Sequence, residues 1–343
     1  MIMKYIFQAV EYKMDSFIFA LNAILPIVFL VLIGYVLKRI GLLKLDLAKG
    51  IHKLVFRVFL PVMLFLNVYK IETIENIGFG YIIYAIGATL IIFALSIPVI
   101  CALTPDNSRR GVLLQVTFRS NYALIGIALA TELFPDGGIG AAVATLLSAF
   151  IIPIFNILAV ICLTVFSSSH ESPSIKKVLL GIIKNPLIIG VLLGAVMLGA
   201  KLVLRSNGIS FALEDITPVW KTLNYLSTMA TPIALVALGA QFEFSAIAGM
   251  KRELIFGVAM RGVIIPALAL TAAYLLGTFN GPHFATFVAV FCTPIAVSSV
   301  PMAQEMGADT SLAGQLVVWT TIFSAITIFA TSFILKELGA FAI

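Results

Sequence analysis

The sequence predicts an all-α membrane protein of ten transmembrane helices, arranged as two inverted repeats of five helices each. Three observations predict this fold. Of the 343 residues, 61% are hydrophobic and only 11% are charged, as is typical of chains that cross a membrane many times. Ten apolar stretches are long enough to span a bilayer. The fourth and ninth of these stretches look like copies of each other.

The predicted spans fill most of the chain. Residues 1–16 mix charges with apolar side chains and lack a small-residue cleavage site, so we expect an interfacial segment there, not a removable signal peptide. We place the first five-helix repeat at 17–166, a Ser-rich linker at 167–176 and the second repeat at 177–343. The spans are 17–37, 47–68, 79–103, 111–133, 139–166, 177–204, 218–242, 254–278, 284–306 and 312–334.

The basic residues of the connections predict the orientation. Twelve Lys and Arg lie on one side of the predicted membrane and seven on the other, and the richer side should be cytoplasmic. Both termini then face outward from the cell (inner) membrane, and the linker 167–176 is cytoplasmic. The net charge of +6 is spread over these short loops. We therefore expect the lipid bilayer as a partner and no nucleic acid.

The second and seventh spans extend the repeat. Leu60-Pro61 opens a stretch that resembles the one after Thr231-Pro232, and each stretch ends in a glutamate. Because five is an odd number, two copies of five spans must insert with opposite topology. The repeat is therefore inverted.

The fourth span carries Arg119-Ser120-Asn121-Tyr122 at its middle. At about 1.5 Å of rise per residue, Arg119 lies roughly 14 Å from Arg109 and Arg110, near the midplane of a hydrocarbon core about 30 Å thick. A charge at that depth costs several kcal/mol unless it faces protein, water or a ligand. We therefore expect a functional site around Arg119.

The ninth span matches the fourth at a fixed offset of 173 residues, which aligns Phe118 with Phe291. Pro294 and Pro301 remove backbone donors within this span, so its helix should be interrupted. Paired interrupted segments in the two halves of a chain mark the binding site of a transporter. We predict that the fourth and ninth spans are broken helices that cross.

These features resemble the auxin efflux carrier family, and the similarity covers nearly the whole chain from about Phe17. The residues that carry it are SNYALIG of the fourth span, the Leu60-Pro61 and Thr231-Pro232 pairs, and the ninth-span stretch 293–303. The resemblance implies a scaffold domain and a transport domain, elevator-type alternating access and a site at the crossing of the two spans. It also implies a homodimer.

The substrate is inferred from the same resemblance. The family includes plant auxin exporters and bacterial permeases for malate and malonate. This sequence departs from the plant pattern, because Ser120-Asn121-Tyr122 has no proline and Thr293-Pro294 has no neighbouring asparagine. That departure favours a small carboxylate such as malate or malonate over an auxin-like acid.

Candidate substrate-binding residues lie at both breaks: Arg119, Ser120, Asn121, Tyr122, Thr293, Pro294, Ser298 and Ser299. The guanidinium of Arg119 presents a planar fork of donors that suits a carboxylate. Alternatively, Arg119 caps carbonyls freed near Pro294 or pairs with a buried acid. The amide, hydroxyl and phenol groups can instead satisfy the interrupted helices.

Other polar residues of the spans admit two interpretations each. Gln115, Glu132 and Glu305 are candidates for gating or coupling, although Gln115 can simply orient Arg119 and the glutamates can be solvated helix ends. We interpret Arg57 and Arg261 as anchors whose long stems reach the headgroups. Isolated intramembrane amides, Asn22, Asn67 and Asn156 among them, most commonly bond between helices.

The leading hypothesis is a secondary transporter of small organic anions, driven by an ion gradient or by the membrane potential. The alternatives are a sodium- or proton-coupled symporter of the bile-acid type and a membrane ligand sensor. The three cysteines and three histidines have no metal-ligand spacing, and no catalytic motif is visible, so we expect no cofactor, no metal and no enzymatic activity. A coupling ion, H⁺ or Na⁺, is compatible with the leading hypothesis.

Overall fold

The computed structural model describes residues 25–70, 79–134, 139–166 and 183–341. The predicted N-terminal segment 1–16 and the linker 167–176 lie outside the described residues. Regular structure in the described residues is helical, apart from one isolated β-bridge between Ser120 and Ile295. The predicted all-α class is confirmed.

Twelve helices are labelled here in chain order. They are α1 (described over 25–39), α2 (Leu45–Tyr69), α3 (Gly80–Leu103), α4 (Asn107–Phe118), α5 (Ile127–Leu133), α6 (Ile139–Val165), α7 (Pro186–Ser206), α8 (Thr217–Gln241), α9 (Ser245–Leu276), α10 (Gly281–Phe291), α11 (Ser299–Glu305) and α12 (Thr310–Glu337). A π-helical turn, Tyr122–Gly126, leads into α5. Further π-helical turns interrupt α2 at Val55–Phe59 and α9 at Met260–Ile264.

Seven of the described helices are long and apolar enough to cross a bilayer, namely α2, α3, α6, α7, α8, α9 and α12. The predicted fourth and ninth spans each consist of two shorter helices, α4 with α5 and α10 with α11, and no single one of these four is long enough to cross alone. The predicted first span is described only from residue 25. A multi-pass helical membrane protein is thus observed, whereas ten spans in two inverted repeats stay a prediction.

The helices pack in two groups. The first group comprises α1, α2, α7 and α8, and glycines let its backbones approach closely: Gly190 and Gly194 of α7 lie against Pro61 and Phe65 of α2. Gly239 of α8 likewise lies against the backbone of α1. The second group comprises α3 to α6 and α9 to α12, which pack on one another through large buried apolar side chains.

Gly190 provides a test of the close packing in the first group. We expect Gly190→Ala to destabilise the protein by about 1–3 kcal/mol, because the added methyl group would overlap the backbone of Pro61. The matched control is Gly199→Ala on the same helix, where the methyl group would meet no atom within 4 Å. Thermal unfolding in detergent should show a lower Tm for the first variant only. Equal Tm values for the two variants would contradict this packing.

The interruptions of the two broken spans lie side by side. Helix α4 ends at Phe118 and α10 ends at Phe291, the two residues that the offset of 173 aligns. The backbone N–H of Asn121 donates to the carbonyl oxygen of Pro294 over 2.7 Å, next to the β-bridge that joins Ser120 and Ile295. The two interrupted segments therefore meet inside the second group, where the segment after α10 accepts a backbone hydrogen bond from the segment after α4.

Arg261 caps the end of α10. Its side chain is only 2% exposed, and its Nε and Nη2 each donate over 2.7 Å, to the carbonyl oxygens of Thr293 and Val290 respectively. The interpretation of Arg261 as a headgroup anchor is therefore wrong. The last carbonyls of an interrupted helix lack intrahelical donors and carry partial negative charge, so they attract a guanidinium inward. Arg57, in contrast, is 62% exposed in its side chain and lies 3.5 Å from Glu305.

Candidate functional site

Arg119 lies at the break that follows α4. Its backbone is extended, with φ −96° and ψ 113°, so the helix ends and the side chain turns into the protein, where it is 3% exposed. Nη1 donates to Gln115 Oε1 over 2.8 Å and contacts Met302 Sδ at 2.7 Å. Nη2 donates to Asn156 Oδ1 over 2.9 Å and to Ser298 Oγ over 2.7 Å. Two segments of the second group besides α4 thus converge on one guanidinium.

The positive charge of Arg119 has no counter-ion in the part of the chain that the structure describes. All four of its side-chain partners are neutral, and the acidic residues that form ion pairs there pair with other bases. Pairing with a buried acid, one alternative for Arg119, is therefore not observed among these residues. The other alternative, capping the carbonyls near Pro294, is a role that Arg261 performs. A buried cation without an anion is costly, so this arrangement favours an anionic ligand.

Three further polar atoms around Arg119 lack hydrogen-bond partners although they are buried. They are Gln115 Nε2, Ser120 Oγ and Asn121 Nδ2. Each can donate a hydrogen bond. Because buried polar groups in proteins are nearly always bonded, three unused donors beside one unpaired cation indicate that an acceptor group or water belongs between them.

A cavity of about 40 Å³ opens in front of Arg119, Ser120 and Asn121. It has room for about three water molecules, and hence for a carboxylate group. The second helix group supplies Arg119, Ser120, Asn121, Ala123, Ile152, Phe155, Asn156, Ala296, Val297 and Ser298, and the first group supplies Leu60, Met63, Leu64, Leu187, Ala230, Thr231 and Ala234. The cavity thus lies between the two helix groups.

The remaining predicted binding residues bond to the backbone. Tyr122 donates its hydroxyl to the carbonyl oxygen of Ala144 over 2.8 Å, and Thr293 and Ser299 donate theirs to carbonyls of their own segment over 2.7 Å each. Pro294 supplies the carbonyl that accepts from Asn121. Of the eight candidates, the structure brings Arg119, Ser120, Asn121 and Ser298 to the cavity and leaves the other four in its supporting shell.

None of the three candidate gating residues lines the cavity. Gln115 touches Arg119 directly. Glu132 is exposed at the end of α5, and Glu305 lies at the end of α11, where it pairs with Arg57 of the first helix group. Neither glutamate lines the cavity.

The sequence analysis missed two contacts of Arg119 and the threonine of the cavity wall, along with the apolar residues that line it. Asn156 of α6 and Met302 of α11 contact the guanidinium, and Thr231 of α8 lines the cavity. Asn156 carried a signal, since an amide at membrane depth needs a partner, but nothing in the sequence pairs it with Arg119. The sequence marks Thr231 only by its place in the repeat.

Similarity to known proteins identifies the family of this chain. Residues 19–332 match the sequence profile of the family described as membrane transport protein, which comprises the auxin efflux carriers. The chain belongs to this family. The resemblance found in the sequence is therefore confirmed, and the protein is a membrane transporter, not an enzyme.

Three relatives align over nearly the full length of this transporter. An "Uncharacterized transporter" of Methanocaldococcus jannaschii is 25% identical over 90% of this chain and 96% of its own length. A second "Uncharacterized transporter", from Methanothermobacter thermautotrophicus, is 23% identical over 90% of this chain and 95% of its own. The "Putative malonate transporter" of Rhizobium meliloti is 22% identical over 92% of this chain and 95% of its own.

Proposed function

We propose that this transporter carries small organic anions, namely carboxylates, and that the cavity at Arg119 is their binding site. The observation that supports the proposal most strongly is the buried guanidinium without a counter-ion, surrounded by three unused donors and open to a cavity. A carboxylate supplies both the missing charge and the missing acceptors. The relative named for malonate agrees with this ligand class.

The carboxylate is bound by replacing the weakest partners of Arg119. A thioether sulfur is a poor acceptor, so one carboxylate oxygen takes the place of Met302 Sδ at Nη1. The other oxygen takes the place of Ser298 Oγ at Nη2, and the serine hydroxyl then turns to donate to the ligand. Ser120 and Asn121 complete the site with their unused donors.

The position of the cavity between two helix groups supports a proposal of alternating access. A rigid-body movement of the second group against the first would expose the cavity to each face of the membrane in turn, as in an elevator. Contacts that such a movement must break join α11 to α2: Arg57 pairs with Glu305 at 3.5 Å, and Gln304 Nε2 donates to the carbonyl oxygen of Lys49 over 2.9 Å. In this proposal the repeats 17–166 and 177–343 insert in opposite directions, with both termini outside the cell membrane.

The membrane potential determines whether transport of an anion needs a coupling ion. With a negative interior, export of a monovalent anion is electrically downhill by about 2.3 kcal/mol per 100 mV, so export needs no coupling ion. Uptake works against this force and needs a coupled ion, H⁺ or Na⁺. The described residues contain no group of three His, Cys, Asp or Glu that could hold a metal ion.

Replacing Arg119 tests the proposal. We expect Arg119→Gln to lower transport of labelled propionate and malonate into proteoliposomes at least about tenfold, because a charged hydrogen bond contributes about 1.5–3 kcal/mol. The control is Arg39→Gln, which removes an exposed arginine that bonds to Tyr35. Arg39→Gln should transport normally. Wild-type transport by Arg119→Gln would refute the proposal.

A further inference from the structure

The cavity at Arg119 has one polar wall and one apolar wall. The polar wall comes from the second helix group, where Arg119, Ser120, Asn121, Asn156 and Ser298 lie among the apolar residues Ala123, Ile152, Phe155, Ala296 and Val297. The wall from the first helix group is apolar except for a single threonine, and it consists of Leu60, Met63, Leu64, Leu187, Ala230, Thr231 and Ala234. A ligand in this cavity is therefore offered two different environments at once.

The cavity contains one positive charge. Among the described residues that line it, Arg119 is the only ionisable one. The other buried arginine of the crossing, Arg261, does not line the cavity, and its donors are engaged by the carbonyls of Val290 and Thr293. Arg57 is mostly exposed and pairs with Glu305. One carboxylate thus neutralises the site, and a second carboxylate on the same ligand finds no cation.

The apolar wall also discriminates between a charged and an apolar ligand body. A second carboxylate would lose its hydration against leucine and methionine side chains without gaining a partner, which is strongly unfavourable. A hydrocarbon body in the same place gains from burial. The same wall therefore rejects a charged tail and favours an apolar one.

We infer that the site selects monovalent carboxylates with a short apolar body and takes a dicarboxylate only in its singly protonated form. This inference rests on the proposed carboxylate carrier. The carboxylate lies at Arg119, and the body lies against Leu60, Met63 and Leu64 of α2. A dicarboxylate binds with one end at Arg119, while its other end is an uncharged carboxylic acid that hydrogen-bonds to Thr231.

A dependence on pH follows from the ligand itself. Above the second pKa of a dicarboxylate, the singly protonated form falls tenfold for each unit of pH. The apparent affinity for malonate or succinate should fall by the same factor. Butyrate stays a monoanion over this range, so its affinity should stay constant wherever the protein itself is unchanged.

Calorimetric titration of the purified full chain tests the inference. We expect butyrate to bind at least about tenfold more tightly than malonate or succinate at a pH above the second pKa of both diacids. The difference should shrink as the pH falls through that pKa. Equal or tighter binding of the doubly charged diacids would overturn the inference and leave the proposed carrier intact. If none of these carboxylates bound, the proposed function itself would fail.

A substitution that adds a cation to the cavity provides a second test of the inference. Thr231→Lys adds a cation to the first-group wall and should reverse the preference, so that malonate and succinate bind more tightly than butyrate by about tenfold. The matched control is Thr228→Lys, at an exposed position of the same helix that does not line the cavity. The control should keep the wild-type order. An unchanged order in folded Thr231→Lys would overturn the inference, and the wild-type titrations decide it if this variant does not fold.

Discussion

An Asn156→Asp variant is expected to stay folded, to resist unfolding better than the wild type and to lose carboxylate binding. Asn156 Oδ1 already accepts from Nη2 of Arg119 over 2.9 Å, and both side chains are buried. An aspartate there would place a built-in anion against the unpaired guanidinium. The bond from Asn156 Nδ2 to the carbonyl oxygen of Ile152 would be lost, but the new charged pair outweighs it.

The expected loss of binding is more than about a hundredfold, because an external carboxylate would have to displace a charged pair worth about 3 kcal/mol or more. Titration with butyrate and thermal unfolding in detergent measure the two effects. Asn156→Ala is the matched control: it leaves Arg119 without a counter-ion and should keep binding, although more weakly. If Asn156→Asp bound butyrate like the wild type, the unpaired charge of Arg119 would not be the anchor of the ligand.

Arg261→Met should destabilise the protein by about 2–6 kcal/mol, since two buried carbonyl groups, those of Val290 and Thr293, would each lose a donor at a cost of about 1–3 kcal/mol. Binding should weaken as well. Thr293 precedes Pro294, whose carbonyl oxygen accepts from the backbone N–H of Asn121. Without Arg261, the segment around Pro294 would therefore no longer hold Asn121 in place.

The matched control for this variant is Arg252→Met, which removes an exposed arginine from the same helix, α9. Thermal unfolding should show a large fall in Tm for Arg261→Met and little change for Arg252→Met. Equal Tm values would mean that Arg261 does not stabilise the end of α10. Arg261 thus bonds to the carbonyls at the break, whereas Arg119 is the proposed ligand anchor.

Part of the site was predictable from local sequence. Arg119 stood out through its depth in an apolar span, and the offset of 173 aligned Phe118 with Phe291, the residues at which the structure ends α4 and α10. Prolines at fixed places identified the ninth span as interrupted. The depth of Arg119, the repeat offset and the prolines can all be recognised in the sequence without knowledge of tertiary packing.

The partners of Arg119 could not be predicted, because they come from distant parts of the chain. Asn156 and Met302 are separated from it by 37 and 183 residues, and only the packing of α6 and α11 brings them together. Sequence also could not distinguish Ser298 from Ser299: one serine reaches the guanidinium, whereas the other bonds back to Ala296. The side-chain direction at an irregular break is set by the fold and not by residue type.

Arg261 shows why depth alone can mislead. Its distance from the predicted boundary allowed a long side chain to reach the headgroups. The structure instead turns it inward, because the interrupted end of α10 offers two free carbonyls. Buried carbonyl groups and the lipid headgroups are alternative partners for the same guanidinium. The sequence contains no information on which of them is nearer.

The most direct test of carboxylate binding at Arg119 is an anomalous-scattering structure of the protein with a bromine-substituted monocarboxylate. We expect a bromine peak in the cavity beside Leu60, Met63 and Leu64, with the carboxylate against Arg119 and no peak there in Asn156→Asp crystals. A bromine peak elsewhere, with Arg119 still held only by Gln115, Asn156, Met302 and Ser298, would contradict it.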